Sequence, residues 1–221
     1  MSAVLEFGIN LIDKRKVYVD IDKLDNSNIL NVGDETSNKT ARNIDKIKQL
    51  KNKFGDMTYI IVISDKYEYK NIESNIDYLF DYTKYSDDKS KIFEMTTSID
   101  NSVSVAFMRH NKSFLFIDTK STLQKWVTPI GDWIRYFIRK ANTYNCSVIN
   151  TETYIDIVPF DIIAQSNIIE FGHFDDIGSY NKDLLSRYGL VSKGIILDSK
   201  KLNHDQFILS VGEHRIPVQT A

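Results

Sequence analysis

Four hydrophobic runs in this chain each close on an aspartate. Asp20 and Asp22 follow Val17-Tyr18-Val19, Asp65 follows Ile61-Val62-Ile63-Ser64, Asp118 follows Phe114-Leu115-Phe116-Ile117, and Asp198 follows Ile195-Ile196-Leu197. Where such runs are parallel strands, their carboxyl ends share one edge of the sheet, and carboxylates gathered there hold Mg²⁺ or Mn²⁺ for phosphoryl transfer. On that chemistry the catalytic set is Asp20, Asp22 and Asp65, with Asp118 as a further metal ligand. The plainer role for the same residues is to start turns and cap helices through local hydrogen bonds. The plainer role is the one the rest of the sequence favours, so no catalytic or metal-binding residue is assigned outright.

The other reactive side chains are dispersed. His110, His173, His204 and His214 are scattered, and His173-Phe174-Asp175-Asp176 and His204-Asp205 lack further ligands at helical or hairpin spacing. They read as surface or turn histidines. Cys146 is the single cysteine, which excludes an internal disulfide, and it reads as a small buried hydrophobe. No GxGxxG, GxSxG, HExxH or GxxxxGK[ST] pattern is found, so the simplest nucleotide-binding, esterase and metalloprotease functions are not expected. Tyr67, Tyr69, Tyr78, Tyr82 and Tyr85 crowd one region, as on an interface or a half-buried helix face.

The elements that must position these residues are mixed. Strands are predicted at Val4–Leu11 and Lys16–Asp20, a polar loop over Asp25–Thr36, and a helix over Thr40–Phe54 stopped by Gly55. A buried strand follows at Met57–Ser64 and a second helix at Asn71–Thr83, giving a βαβ unit. Lys91–Thr97, Val103–Arg109 and Ser113–Asp118 read as an antiparallel meander. Thr128-Pro129 opens the clearest amphipathic helix, to about Tyr144. Strands near Cys146–Asn150, Tyr154–Val158 and Asn167–Phe171, a short helix over Ser179–Tyr188, and strands at Val191–Leu197, Gln206–Val211 and Arg215–Val218 complete the pattern. The expected fold class is therefore α+β: an N-terminal βαβ unit, then antiparallel meanders, with one long amphipathic helix packed on the sheet. With three prolines and nine glycines in 221 residues, no linker marks a boundary, and residues 1–221 read as one domain, divisible at most into 1–85 and 86–221.

Charge narrows the partners. Twenty-eight basic residues against 30 acidic ones give a net charge of −2, which implies no polyanion-binding surface, so nucleic acid is not an expected partner. Arg42, Lys46, Lys48, Lys51 and Lys53 read as the solvated face of a helix. The N-terminus lacks a cationic leader and no apolar run approaches a membrane span, so an intracellular protein is expected, in a host cytoplasm or virion if viral. Abundant Ile, Asn, Lys, Asp and Tyr point to an AT-rich genome. In the absence of enzyme motifs the expected role is a non-enzymatic structural or assembly component of a multi-subunit particle. A bacteriophage virion connector, ring or tail protein is the leading case, with other protein subunits as partners and no cofactor. The alternative is a metal-dependent nuclease or phosphatase using Mg or Mn on the strand-end aspartates.

Overall fold

Runs of Ile, Val and Phe that are too short for helices and apolar on both faces form the middle of the structure. The computed structural model describes residues 3–24, 27–85, 88–109, 111–120, 123–174, 199–212 and 214–220. Its elements are β1 (Val4–Asn10), β2 (Lys16–Asp20), β3 (Ile29–Val32), α1 (Lys39–Phe54), β4 (Thr58–Ser64), β5 (Tyr78–Asp81), α2 (Lys89–Met108) and β6 (Lys112–Asp118). They continue with α3 (Leu123–Trp126), α4 (Pro129–Lys140), β7 (Cys146–Glu152), α5 (Phe160–Ala164), β8 (Ile168–Phe171), β9 (Gln206–Val211) and β10 (His214–Gln219).

All ten strands join one sheet in the order β2-β1-β10-β9-β8-β3-β7-β6-β4-β5. From β8 to β5 every neighbouring pair is parallel. The four strands beyond β8 are antiparallel. Two apolar layers sandwich this sheet. Ile47 and Leu50 of α1 pack with Ile29, Ile60, Val62, Phe114, Phe116 and Phe207 on one face. On the other, α2, α4 and α5 cover Leu30, Ile61, Leu115 and Val148.

This architecture corrects the expected α+β fold of antiparallel meanders. The two strands expected at Lys91–Thr97 and Val103–Arg109 are the single 20-residue helix α2, capped by the Asp88 carboxylate on the amides of Ser90 and Lys91. Its buried residues Ile92, Met95, Ile99, Val103 and Ala106 recur at intervals of three and four, a helical period carried by β-branched side chains. So the helix from Pro129 is not the only long one. The helix expected over Asn71–Thr83 is instead a 3₁₀ segment, Tyr67–Asn75, followed by edge strand β5. The strand expected at Tyr154–Val158 is a 3₁₀ turn. Most consequentially, the loop expected over Asp25–Thr36 contains β3, a central strand with all four residues buried. The expected helix 179–188, the strand 191–197, His110, Asp175, Asp176 and Asp198 lie outside the described residues. Among those residues, no helix is long and apolar enough to cross a membrane.

Candidate phosphate-binding site

Because β8, β3, β7, β6 and β4 are parallel, they present their carboxyl ends at one edge, and the register there aligns a row of polar side chains. Asn31 of β3 lies opposite Glu170 of β8 and Thr151 of β7, Thr151 opposite Asp118 of β6, and Asp118 opposite Ser64 of β4. The connections part at β3: the chain builds β4 to β7 on one side of it and β8 on the other. Such a switch point opens a crevice beyond the strand ends.

Into this crevice runs the turn from β3 to α1, Gly33-Asp34-Glu35-Thr36-Ser37-Asn38-Lys39-Thr40. It begins at a glycine because a Cβ on Gly33 would lie 2.3 Å from Ser37 Oγ. Asn38 holds the last position before the helix with φ 50° and ψ 27°, the left-handed conformation that Asn tolerates better than other residues with a Cβ. The Asn38 side chain makes no capping hydrogen bond, so the helix amides it precedes lack a side-chain cap. Asn38→Gly should therefore be neutral or stabilising by up to about 1 kcal/mol, while Asn38→Val should cost about 1–2 kcal/mol in denaturant melts.

Lys39 folds back over this turn. Its ammonium donates to Gly33 O at 2.6 Å, to Asp34 O, and to Ser37 Oγ at 3.3 Å. Burial, reinforced by the charge of Arg42, brings its pKa down to about 8, with Asp118 and Asp34 pulling the other way. Beneath the turn, Arg42 donates to Ser37 O, to Asn31 Oδ1 at 2.6 Å and to Glu170 at 2.8 Å. Lys46 pairs with the other Glu170 oxygen at 2.7 Å. Burial alone would raise the Glu170 carboxyl, but Lys46 and Arg42 outweigh it and hold it below the usual carboxylate range. Arg42 and Lys46 are thus buried anchors of α1, not part of a solvated lysine face.

Across the crevice, Asp118 is buried at the end of β6. Burial raises its pKa, and hydrogen bonds from Tyr69 and Thr40 pull it back. The Tyr69 hydroxyl donates to Asp118 Oδ2 at 2.8 Å, and Ser64 Oγ donates to Asp118 O at 2.6 Å. Lys39, Thr40, Asn38, Asp118, Thr119 and Glu68 line one cavity of about 250 Å³. Thr119 Oγ1 is buried with no hydrogen-bond partner in the protein.

The four strand-end aspartates do not converge. Asp65 sits at the same edge as Asp118, and both its oxygens accept from the Lys120 amide at 3.2 and 3.1 Å. Asp22 lies at the opposite edge, bound to the Ala3 amide at 2.6 Å and paired with Lys112, which opens the strand that Asp118 closes. Six residues of strand put those ends roughly 20 Å apart. Asp20 stays beside Asp22, accepting from its amide and pairing with Lys23 at 3.4 Å. Among the described residues no group of three His, Cys, Asp or Glu is placed to hold a metal by itself. Cys146 is buried and its thiol is pushed up to about 12 by that burial, which suits a core residue.

No family model and no curated protein matches the sequence. Solved structures do match. The cytoplasmic domain of the type VII secretion ATPase EccC from Thermomonospora curvata superposes with a TM-score of 0.77 at 10% identity, over 100% of this chain and 28% of that one. VirB4 of Thermoanaerobacter pseudethanolicus gives 0.70 at 10% identity, over 98% and 96%. The genome packaging NTPase B204 of Sulfolobus turreted icosahedral virus 2, in complex with ATP-γ-S, gives 0.66 at 12% identity, over 88% and 97%. The chain shares its α/β fold with these proteins, a fold like that of P-loop NTPases. Two of these three proteins are described as an ATPase or NTPase, which overturns the expectation of a non-enzymatic connector, ring or tail protein. The expectation of no cofactor falls with it, since B204 of the same fold was solved with a nucleotide analogue.

The turn after β3 now stands out in the sequence as well. Gly33-x₄-Asn38-Lys39-Thr40 is the phosphate-loop pattern GxxxxGK[ST] with asparagine at the second glycine. The substitution hides the motif from a literal search, yet the backbone there is left-handed, as the glycine would be.

Proposed function

We propose that this chain binds a magnesium nucleoside triphosphate on residues 33–40 and hydrolyses it. The observation that carries this reading is the shared cavity: Lys39 and Thr40 from the turn, and Asp118 from the strand two places away, line one space. Backbone amides at the start of α1 and the Lys39 ammonium suit the phosphates. The Thr40 hydroxyl and the Asp118 carboxylate, already in contact, are the pair that would hold Mg²⁺. When bound, that ion would supply charge neutralisation at the phosphates. The unpartnered Thr119 hydroxyl supports a polar occupant.

A second depression, about 680 Å³, meets the same turn from the other side. It shares Asn38 and Ala41 with the first and runs between α1 and the β1–β2 hairpin, with Phe7 and Tyr18 among its walls. This groove offers room for the nucleoside. Of the two aspartate sets read from the sequence, Asp118 enters this proposal and Asp20 and Asp22 do not. Partner subunits and a nucleic acid, the latter by analogy with genome packaging in B204, belong to the same proposal.

Calorimetric titration of the protein with Mg²⁺ and ATP-γ-S tests it. Binding should favour the protonated Lys39, whose pKa lies near 8 in the free protein. Above that pH, binding should therefore take up protons and weaken, by at most about tenfold per pH unit for one proton. Below it, this group should contribute no pH dependence. An affinity that strengthens above pH 8 would speak against Lys39 as the phosphate-binding cation.

A further inference from the structure

We propose that Glu68, which lines the same cavity as Lys39, Thr40 and Asp118, is the general base that activates the attacking water. The inference rests on the hydrolysis reading above and names one more residue in it.

The acids near the cavity have distinct commitments. Asp118 is engaged by Tyr69 and Thr40. Asp65 holds the Lys120 amide with both oxygens. Glu35 lines the cavity from the proposed phosphate-binding turn itself. Glu68 lines the same cavity from a different element. It follows β4, the strand beyond β6, and so stands on the far side of Asp118 from the phosphate turn. In an in-line displacement the water approaches from the side away from the leaving group, and a carboxylate carried by an element other than the 33–40 turn suits that side.

The segment that carries Glu68 is held at both ends of a short span. Ser64 Oγ donates to Asp118 O at 2.6 Å and accepts from the Lys66 amide at 2.9 Å. Tyr69, fully buried, is tied to the Asp118 carboxylate at 2.8 Å. Glu68 itself is exposed, between these two fixed points, and its charge acts on Tyr69. A carboxylate between two hydrogen-bonded anchor points, itself in no hydrogen bond or ion pair among the described residues, suits proton transfer.

In the step proposed, a water held by the Thr119 hydroxyl gives one proton to a Glu68 carboxylate oxygen as its oxygen bonds to the terminal phosphorus. The bond from that phosphorus to the bridging oxygen breaks, and its electron pair stays on the nucleoside diphosphate. Inorganic phosphate leaves, and Glu68 returns the proton to solvent.

Glu68→Gln, with Glu73→Gln on the same segment and outside the cavity as control, separates the possibilities in the full chain. Three readouts are needed: affinity for Mg²⁺ with ATP-γ-S, single-turnover ATP hydrolysis, and affinity for ADP with aluminium fluoride, which mimics the transferring phosphoryl group. Glu68→Gln should bind ATP-γ-S like the parent, hydrolyse about 10²- to 10⁴-fold more slowly, and lose the tighter binding that aluminium fluoride confers. Glu73→Gln should keep both. Hydrolysis within about threefold of the parent in Glu68→Gln, with the aluminium fluoride advantage intact, would overturn the assignment, as would a parent protein showing neither hydrolysis nor that advantage. Failure of the parent to bind ATP-γ-S at all would instead overturn the nucleotide reading.

Discussion

Glu170→Gln should destabilise the fold by roughly 3–5 kcal/mol, the cost of leaving buried charge without its counter-ion. Glu170 lies in β8, wholly inside, and is the common partner of two buried cations from α1: Arg42 at 2.8 Å and Lys46 at 2.7 Å. Both cations are almost wholly buried. Arg42 also donates to Ser37 O and Asn31, so the loss should propagate into the phosphate turn as well as the core. Denaturant unfolding of the parent and the variant measures this directly. A change under about 1 kcal/mol, the size of an ordinary substitution, would mean the cations find other partners and the network does not anchor the helix.

The second large effect concerns ligand and not stability. Lys39→Ala should lower the affinity for a magnesium nucleoside triphosphate by about 10²- to 10⁴-fold, the loss of two charge-assisted hydrogen bonds at roughly 1.5–3 kcal/mol each. In the free protein the ammonium is spent on Gly33 O, Asp34 O and Ser37 Oγ, acceptors of its own turn. Binding must trade these for phosphate oxygens. Fluorescence or calorimetric titration with ATP-γ-S should show the loss, and affinity within threefold of the parent would remove Lys39 from the site.

Most of the strands of this fold could be read from the residues, but two of its central elements could not. The strands β1, β2, β4, β6, β7 and β8 announce themselves through β-branched and aromatic runs, and the helix from Pro129 through its cap and stripe. The centre fails for local reasons. β3 is only Ile29-Leu30-Asn31-Val32, set among Asn, Ser, Gly and Asp, and its strand character comes from two parallel neighbours far away in sequence. In α2, β-branched side chains and an Asp100-Asn101-Ser102 triplet look like strands and a turn, although Ile92, Met95, Ile99, Val103 and Ala106 keep a helical period. There, periodicity was the better guide than propensity.

The site divides in the same way. Asp118 was legible as an acid closing a strand, whereas nothing local separates it from Asp20 and Asp22; only the sheet order places them at opposite edges. The phosphate turn was hidden by one residue, and reading Asn as the other side chain at ease in the left-handed region would have exposed Asn38-Lys39-Thr40. Arg42 and Lys46 looked solvated because their counter-ion, Glu170, lies more than 120 residues away.

Thermal or denaturant melting with Mg²⁺ and ATP-γ-S, on the parent and on Lys39→Ala, is the most direct test that residues 33–40 hold a nucleotide. At ligand a hundredfold above its dissociation constant, the parent should gain about 2.7 kcal/mol, and Lys39→Ala at the same concentration little or none. A parent that gains nothing at millimolar nucleotide, or a variant stabilised as much as the parent, would contradict the account.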